Sequence, residues 1–167
     1  PIPGANDGAS GVAVLLELAA VLKENPPPVG VDIVLFDGED YGRTAVNGLD
    51  YYFLGSKHFV ETKGTYQPEY AILLDMVGSA EPQFYIEGYS NYYAPVIVEK
   101  VWSKARSLEY SAFVGQVGPS INDDHVILNR AGIPTVNIID INLQRINYPY
   151  WHTLDDTPEK CNPETLA

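Results

Sequence analysis

The sequence predicts an α/β domain with a mostly parallel or mixed central sheet flanked by helices. Helical runs alternate with apolar runs of strand length, the pattern of βαβ units. Two of those runs, "VDIVLFD" (31–37) and "YAILLDMVG" (70–78), are almost continuously apolar, as strands covered on both faces are. Carboxylates collect where those runs end, and in an open parallel sheet that edge binds ligands.

The elements follow in order. "SGVAVLLELAAVLKEN" (10–25) reads as a helix apolar nearly all round, hence well buried, and Pro26 to Pro28 stop it. The first strand is 31–37. "YFLGSKHFVET" (52–62) reads as a helix, 70–78 as the second strand and "PQFYIEGY" (82–89) as the third. "YAPVIVEKVWSKARSL" (93–108) has an amphipathic helical pattern, with Trp102 on its core face beside Val98 and Val101. "DDHVILNRAG" (123–132) is a short helix closed by Gly132, and the strand "IPTVNIIDI" (133–141) follows at once. No repeat interrupts this order, so residues 1–167 read as a single domain.

With 167 residues, 46% apolar and 19% charged, the chain can bury a sizeable core. Its net charge of −12 argues against nucleic acid or an anionic membrane as partner. The one cysteine, Cys161, excludes an intramolecular disulfide and a cysteine zinc site. No apolar run reaches membrane-spanning length. The chain opens on Pro1-Ile-Pro-Gly without Met, a few residues before its first motif. We read it as a piece of a longer chain, so the lack of a signal peptide carries no weight.

The motif "FDGEDYG" places Asp37, Glu39 and Asp40 within four positions at a strand end. Carboxylates this close raise one another's pKa unless a cation sits among them. Lysine and arginine number only ten, so a metal ion is the economical counter-charge. Asp75 closes the second strand, and Asn122, Asp123, Asp124 and His125 stand at the mouth of the short helix. Asp7 lies in "GANDGASG", while Trp151, His152, Asp155 and Asp156 lie in the last loop. Carboxylates with imidazole and no thiolate suit zinc.

Plainer readings stand beside these. Asp7 fits a helix N-cap, and Asp123 with Asp124 fit a cap and a first-turn acid. Asp37 fits a turn residue, and His125 and His58 fit packed or hydrogen-bonded side chains. "GANDGASG" lacks the spacing of a phosphate loop. His152 has no such alternative, since nothing in folding asks for an imidazole in that aromatic loop.

In this order, "GANDGASGVAVLLELA", "FDGED", "LLDMVG", "DDHVILNRAGIP" and "YWHTLDDTPE" resemble the zinc-dependent M28 metallopeptidase family. Within it the likeness is closest to the glutaminyl cyclases (glutaminyl-peptide cyclotransferases), through "LGSKHF", "INDDH" and the Trp before His in "YWHTLDD". The resemblance implies a zinc-exopeptidase-like three-layer sandwich, with 1–167 as the C-terminal portion of a larger catalytic domain. It implies one zinc on Asp7, Asp40 and His152, with Glu39 as general acid/base. Asp75 and Asp123 would form a hydrogen-bonded acidic network, and Trp151 and Asn122 would meet the substrate.

The implied activity is cyclisation of N-terminal glutamine to pyroglutamate with release of ammonia, on peptide or protein N-termini. The alternative is an M28-type aminopeptidase that hydrolyses N-terminal residues, in which Asp75 would bind a second metal bridged by Asp7. A periplasmic or secreted location is implied as well. Three positions depart from the pattern: Asp40 stands where Glu is usual, "YGRTAVNGLDYY" has tyrosines but no tryptophan, and the upstream segment carrying the second-metal histidine is not in this sequence.

Overall fold

A computed structural model describes residues 2–42, 51–140 and 149–166. The expected strand residue Ile141 and the loop residues 142–148 lie outside them, as does most of "YGRTAVNGLDYY". Helix α1 (Ala9–Glu24) is followed by α2 (Leu54–Thr62), β1 (Ala71–Asp75), β2 (Phe84–Ile86), α3 (Gly88–Tyr93), α4 (Pro95–Ser107), β3 (Phe113–Val117), α5 (Asp124–Arg130) and β4 (Thr135–Ile139). A 3-10 turn (Pro158–Lys160) and the short α6 (Pro163–Leu166) close the chain.

The described strands form two parallel pairs. β1 lies beside β4 in unbroken register from Ala71 opposite Thr135 to Asp75 opposite Ile139. β2 lies beside β3, with a bulge between Tyr85 and Ile86. Both pairings are parallel, so the intervening helices are crossovers, and the α/β expectation holds. β4 is buried along its whole length, which explains its unbroken apolar pattern.

The core lies between these strands and α4. Trp102 is 0% exposed, with Val98, Phe84 and Val136 around it. Its indole N–H donates to the Val114 carbonyl at 3.0 Å, so no donor is left unsatisfied by burial. Phe113 meets the ring edge-on at 5.5 Å.

Two expectations need correction. Residues 31–37 join no strand, and Val31, Ile33, Val34 and Leu35 are exposed. The apolar pattern is that of a two-sided buried strand, but β1 and β4 pair with each other and no described residue forms a ladder with it. Helix α1 is likewise not buried all round: Leu16 is 66% exposed and Val21 48%. It packs on β1 through one face, where Gly11 comes so close that a Cβ would stand 2.4 Å from the Leu74 carbonyl oxygen. Val14 packs against the core cluster, while Leu16 and Val21 face outward.

Four elements escaped the sequence reading: α3, β3, the 3-10 turn and α6. Helix α3 is short and aromatic, and it forms because Glu87 caps it, accepting from the N–H groups of Tyr89 and Ser90. Strand β3 carries Gly115 and Gln116, which hide its strand character.

Candidate metal centre

The segment after residue 36 turns back onto α2. Asp37, Gly38 and Glu39 offer their carbonyls to the N–H groups of Gly55, Leu54 and Phe53 at 2.7, 3.1 and 2.8 Å. Gly55 permits this approach, since a Cβ there would lie 2.5 Å from the Asp37 nitrogen. These bonds fix the backbone from which Glu39 and Asp40 project.

Asp7 comes from the loop before α1. It is not the cap of that helix: Gly8 occupies the N-cap position, and no side chain caps it. Asp7 Oδ2 instead lies 3.1 Å from His152 Nε2. The same nitrogen is 3.0 Å from Asp40 Oδ2. Two carboxylates therefore converge on one imidazole nitrogen, where at best a single proton is shared between them. The ligand atoms of Asp7, Asp40 and His152 all lie within 4.8 Å of one another. Tetrahedral zinc with bonds of about 2.0–2.2 Å separates its ligands by roughly 3.3–3.6 Å, so the donor set fits this ion.

His152 reaches this position through a left-handed backbone, with φ 58°. That conformation costs a non-glycine residue about 1–3 kcal/mol and persists where neighbours enforce it. Here a turn does so, with the Thr153 N–H and hydroxyl both donating to the Tyr150 carbonyl. Trp151 stacks on the imidazole at 4.1 Å between ring centres and is itself 46% exposed. Its ring covers one side of that imidazole.

The second rank is acidic. Burial, with Asp123, Asp40, Asp124 and Asp7 adding repulsion, pushes the Glu39 carboxyl up to about 8. Asp75, at the end of β1, is raised well above the carboxylate range by desolvation, then by Asp123, Asp7 and Glu39. Asp123 is raised by burial against the pull of His125. Its Oδ1 caps α5 by accepting the Asp124 N–H at 2.6 Å, and its Oδ2 accepts the Asn137 amide at 2.7 Å. The cap reading is therefore correct for Asp123, and its second oxygen meets the Asn137 amide rather than another acid. Asp124 accepts the Ser56 hydroxyl, and burial lifts its carboxyl to about 6.

The other expected residues divide. Asn122 is exposed on the turn into α5, and no described residue ties it to the cluster. His58 is exposed on α2. His125 is buried and pairs through Nε2 with Glu87 Oε2 at 2.9 Å, as a packed histidine should. Glu87 was not singled out from the sequence; a lone Glu before a Gly carries no signal beyond a possible cap.

These shifts give a signed prediction. Asp7, Glu39, Asp75, Asp123 and Asp124 hold their protons more tightly folded than unfolded. The folded state thus binds more protons, and its stability falls as pH rises. For Asp124 that loss runs up to about 6, and for Glu39 up to about 8. Glu87, lowered to about 2, acts oppositely and matters only below its ordinary range. The Tm of chelator-treated protein is expected to fall between about pH 5 and 8, and added zinc should reverse the fall. A Tm rising across that interval would contradict the assignment.

The model of Peptidase family M28 matches residues 1–167, and the chain belongs to that family. It is 32% identical over 180 residues to the aminopeptidase YwaD of Bacillus subtilis, covering 98% of this chain and 35% of that protein. The crystal structure of Tannerella forsythia glutaminyl cyclase superposes with a TM-score of 0.91 at 42% identity, over 99% of this chain and 60% of that one. A Zn-dependent exopeptidase from Parabacteroides distasonis gives 0.91 at 39% identity, again over 99% and 60%. The chain thus spans about a third to three fifths of the length of these relatives. The fold is that of the zinc exopeptidases and glutaminyl cyclases.

Proposed function

We propose that this protein is a zinc-dependent glutaminyl-peptide cyclotransferase, converting N-terminal glutamine to pyroglutamate with release of ammonia. The observation that carries this reading is one set of three ligand atoms, from Asp7, Asp40 and His152, with Glu39 next to it in sequence and an aromatic wall stacked on its imidazole. Asp7, Asp40 and His152 would hold the ion, and zinc, when bound, supplies a Lewis acid that polarises the substrate's γ-carboxamide. Asp40 meets it with a shorter side chain than the Glu usual at this position.

Glu39 takes a proton from the attacking α-amine and returns it to the departing ammonia as the new C–N bond forms and the amide C–N bond breaks. Its raised pKa suits a group that must both accept and give a proton near neutrality. Attack is intramolecular, so the site mainly has to hold the folded-back side chain and keep water away. Asp75 and Asp123 stand as buried acids beside Glu39, and Trp151 shields the reacting atoms. Residues 1–167 contribute these groups as one catalytic domain.

The aminopeptidase reading is supported by the identity with YwaD and by the likeness to the Zn-dependent exopeptidase. There Glu39 would deprotonate water for attack on the first peptide bond. A glutamine-initiated peptide assayed for ammonia, beside a leucyl amide, separates the two. Ammonia from the first and an intact second are expected. Cleavage of the leucyl amide without ammonia would remove the cyclase reading.

No helix among the described residues is long and apolar enough to cross a membrane. A periplasmic or secreted location is proposed from the family resemblance, and cell fractionation tests it.

A further inference from the structure

Asp156 is 0% exposed and takes no part in the chemistry above. Its Oδ1 accepts the Asn6 N–H at 2.9 Å and its Oδ2 accepts the Asp7 N–H at 3.1 Å. Its own carbonyl accepts the Ala5 N–H at 3.2 Å. One buried carboxylate therefore grips two successive amides of the segment that carries Asp7, with charge-assisted bonds. It stands four residues after His152, in a turn closed by Thr153 on Tyr150 and by the Asp155 N–H on the Thr153 hydroxyl.

The gripped segment has few holds of its own. α1 has no side-chain cap to anchor the residues before it. Asn6 carries the connection onward: its Oδ1 accepts the Gly78 N–H at 2.7 Å, and its carbonyl accepts the Ser10 hydroxyl at 2.6 Å. Ser10 in turn accepts the Val77 N–H at 3.0 Å. The stretches bearing Asp7 and His152, and the one directly after Asp75, are thereby locked together.

We propose that Asp156 is a positioning residue that sets the separation of Asp7 from His152, and through it the affinity of the site for a dication. The proposal rests on the metal reading of Asp7, Asp40 and His152. Partners outside a ligand set commonly change metal affinity by about 10- to 100-fold. Here the partner acts on the backbone of one ligand from the loop of another.

The test uses Asp156→Ala and Asp156→Asn in the full-length protein. Zinc affinity is measured by competition with a chromophoric chelator, the Co(II) absorption spectrum is recorded, and the Tm of the metal-free protein is compared. Asp156→Ala is expected to weaken zinc by about 10- to 100-fold and to alter the cobalt bands. Asp156→Asn should fall between, since it keeps one acceptor but turns an NH2 toward the second amide. A lowered metal-free Tm with wild-type affinity and spectrum would mean a merely structural role and overturn the proposal.

Should the variants fail to fold, the wild-type protein still decides by amide hydrogen exchange. The Asn6 and Asp7 amides are expected to be protected and shifted downfield in the metal-free state. Exchange at the rate of an open loop would overturn the grip. A wild-type protein that binds no zinc would instead overturn the metal reading, and this proposal with it.

Discussion

Glu39→Gln is expected to lower kcat by about 10²- to 10⁴-fold while one zinc remains bound. Glutamine matches glutamate in size and keeps an oxygen acceptor, so packing at the 37–39 turn on α2, which is made by backbone groups, is undisturbed. The amide neither accepts nor returns a proton under working conditions. Removing a carboxyl that burial, and then its acidic neighbours, push up to about 8 also relieves a buried charge and its repulsion, so metal-free stability should hold or rise. Turnover at the wild-type rate would place the base elsewhere. Loss of zinc would make Glu39 a ligand, which the clustering of Asp7, Asp40 and His152 argues against.

His152→Gly should have the other large effect, and it separates metal binding from folding. It removes the one nitrogen donor of the set, so zinc affinity should fall by more than the 10- to 100-fold expected of an outer partner. Metal-free stability should nonetheless stay between a loss of about 1 kcal/mol and a gain of about 2.5 kcal/mol, because three modest terms oppose one another. Relief of the left-handed backbone gains about 1–3 kcal/mol. The lost ion pairs to Asp7 and Asp40, both partly exposed, cost about 0–1 kcal/mol. Glycine's extra chain entropy costs about 0.5–1 kcal/mol. A folded variant with wild-type zinc affinity, judged by competition with a chelator, would remove His152 from the centre.

What the sequence disclosed follows from where the physics is local. α1, α5 and β4 show in periodicity or apolar continuity, because their side chains alternate on the pattern of the element itself. α3 depends on a cap from Glu87, and β3 is diluted by Gly115 and Gln116, so neither shows in composition. The run 31–37 has strand residues, but a strand also needs a neighbour, which no residue pattern within the run supplies. At the site, Asp7, Asp40 and His152 were found through the order of their motifs, and the structure brings their ligand atoms together. Asn122 is exposed at the entrance to α5, and its expected contact with substrate remains a proposal. Asn6 and Glu87 lay outside the sequence reading, and Asp156 appeared there without its role. Their roles come from hydrogen bonds across about half the chain or more, as between Asp156 and Asn6, or from a buried pair such as Glu87 with His125.

The zinc anomalous signal from a crystal of the zinc-loaded, full-length protein tests the arrangement most directly. A single strong peak is expected at bonding distance from carboxylate oxygens of Asp7 and Asp40 and from His152 Nε2, with the Glu39 carboxyl close by but unbound. A peak at other residues, or His152 turned away from the ion, would contradict it.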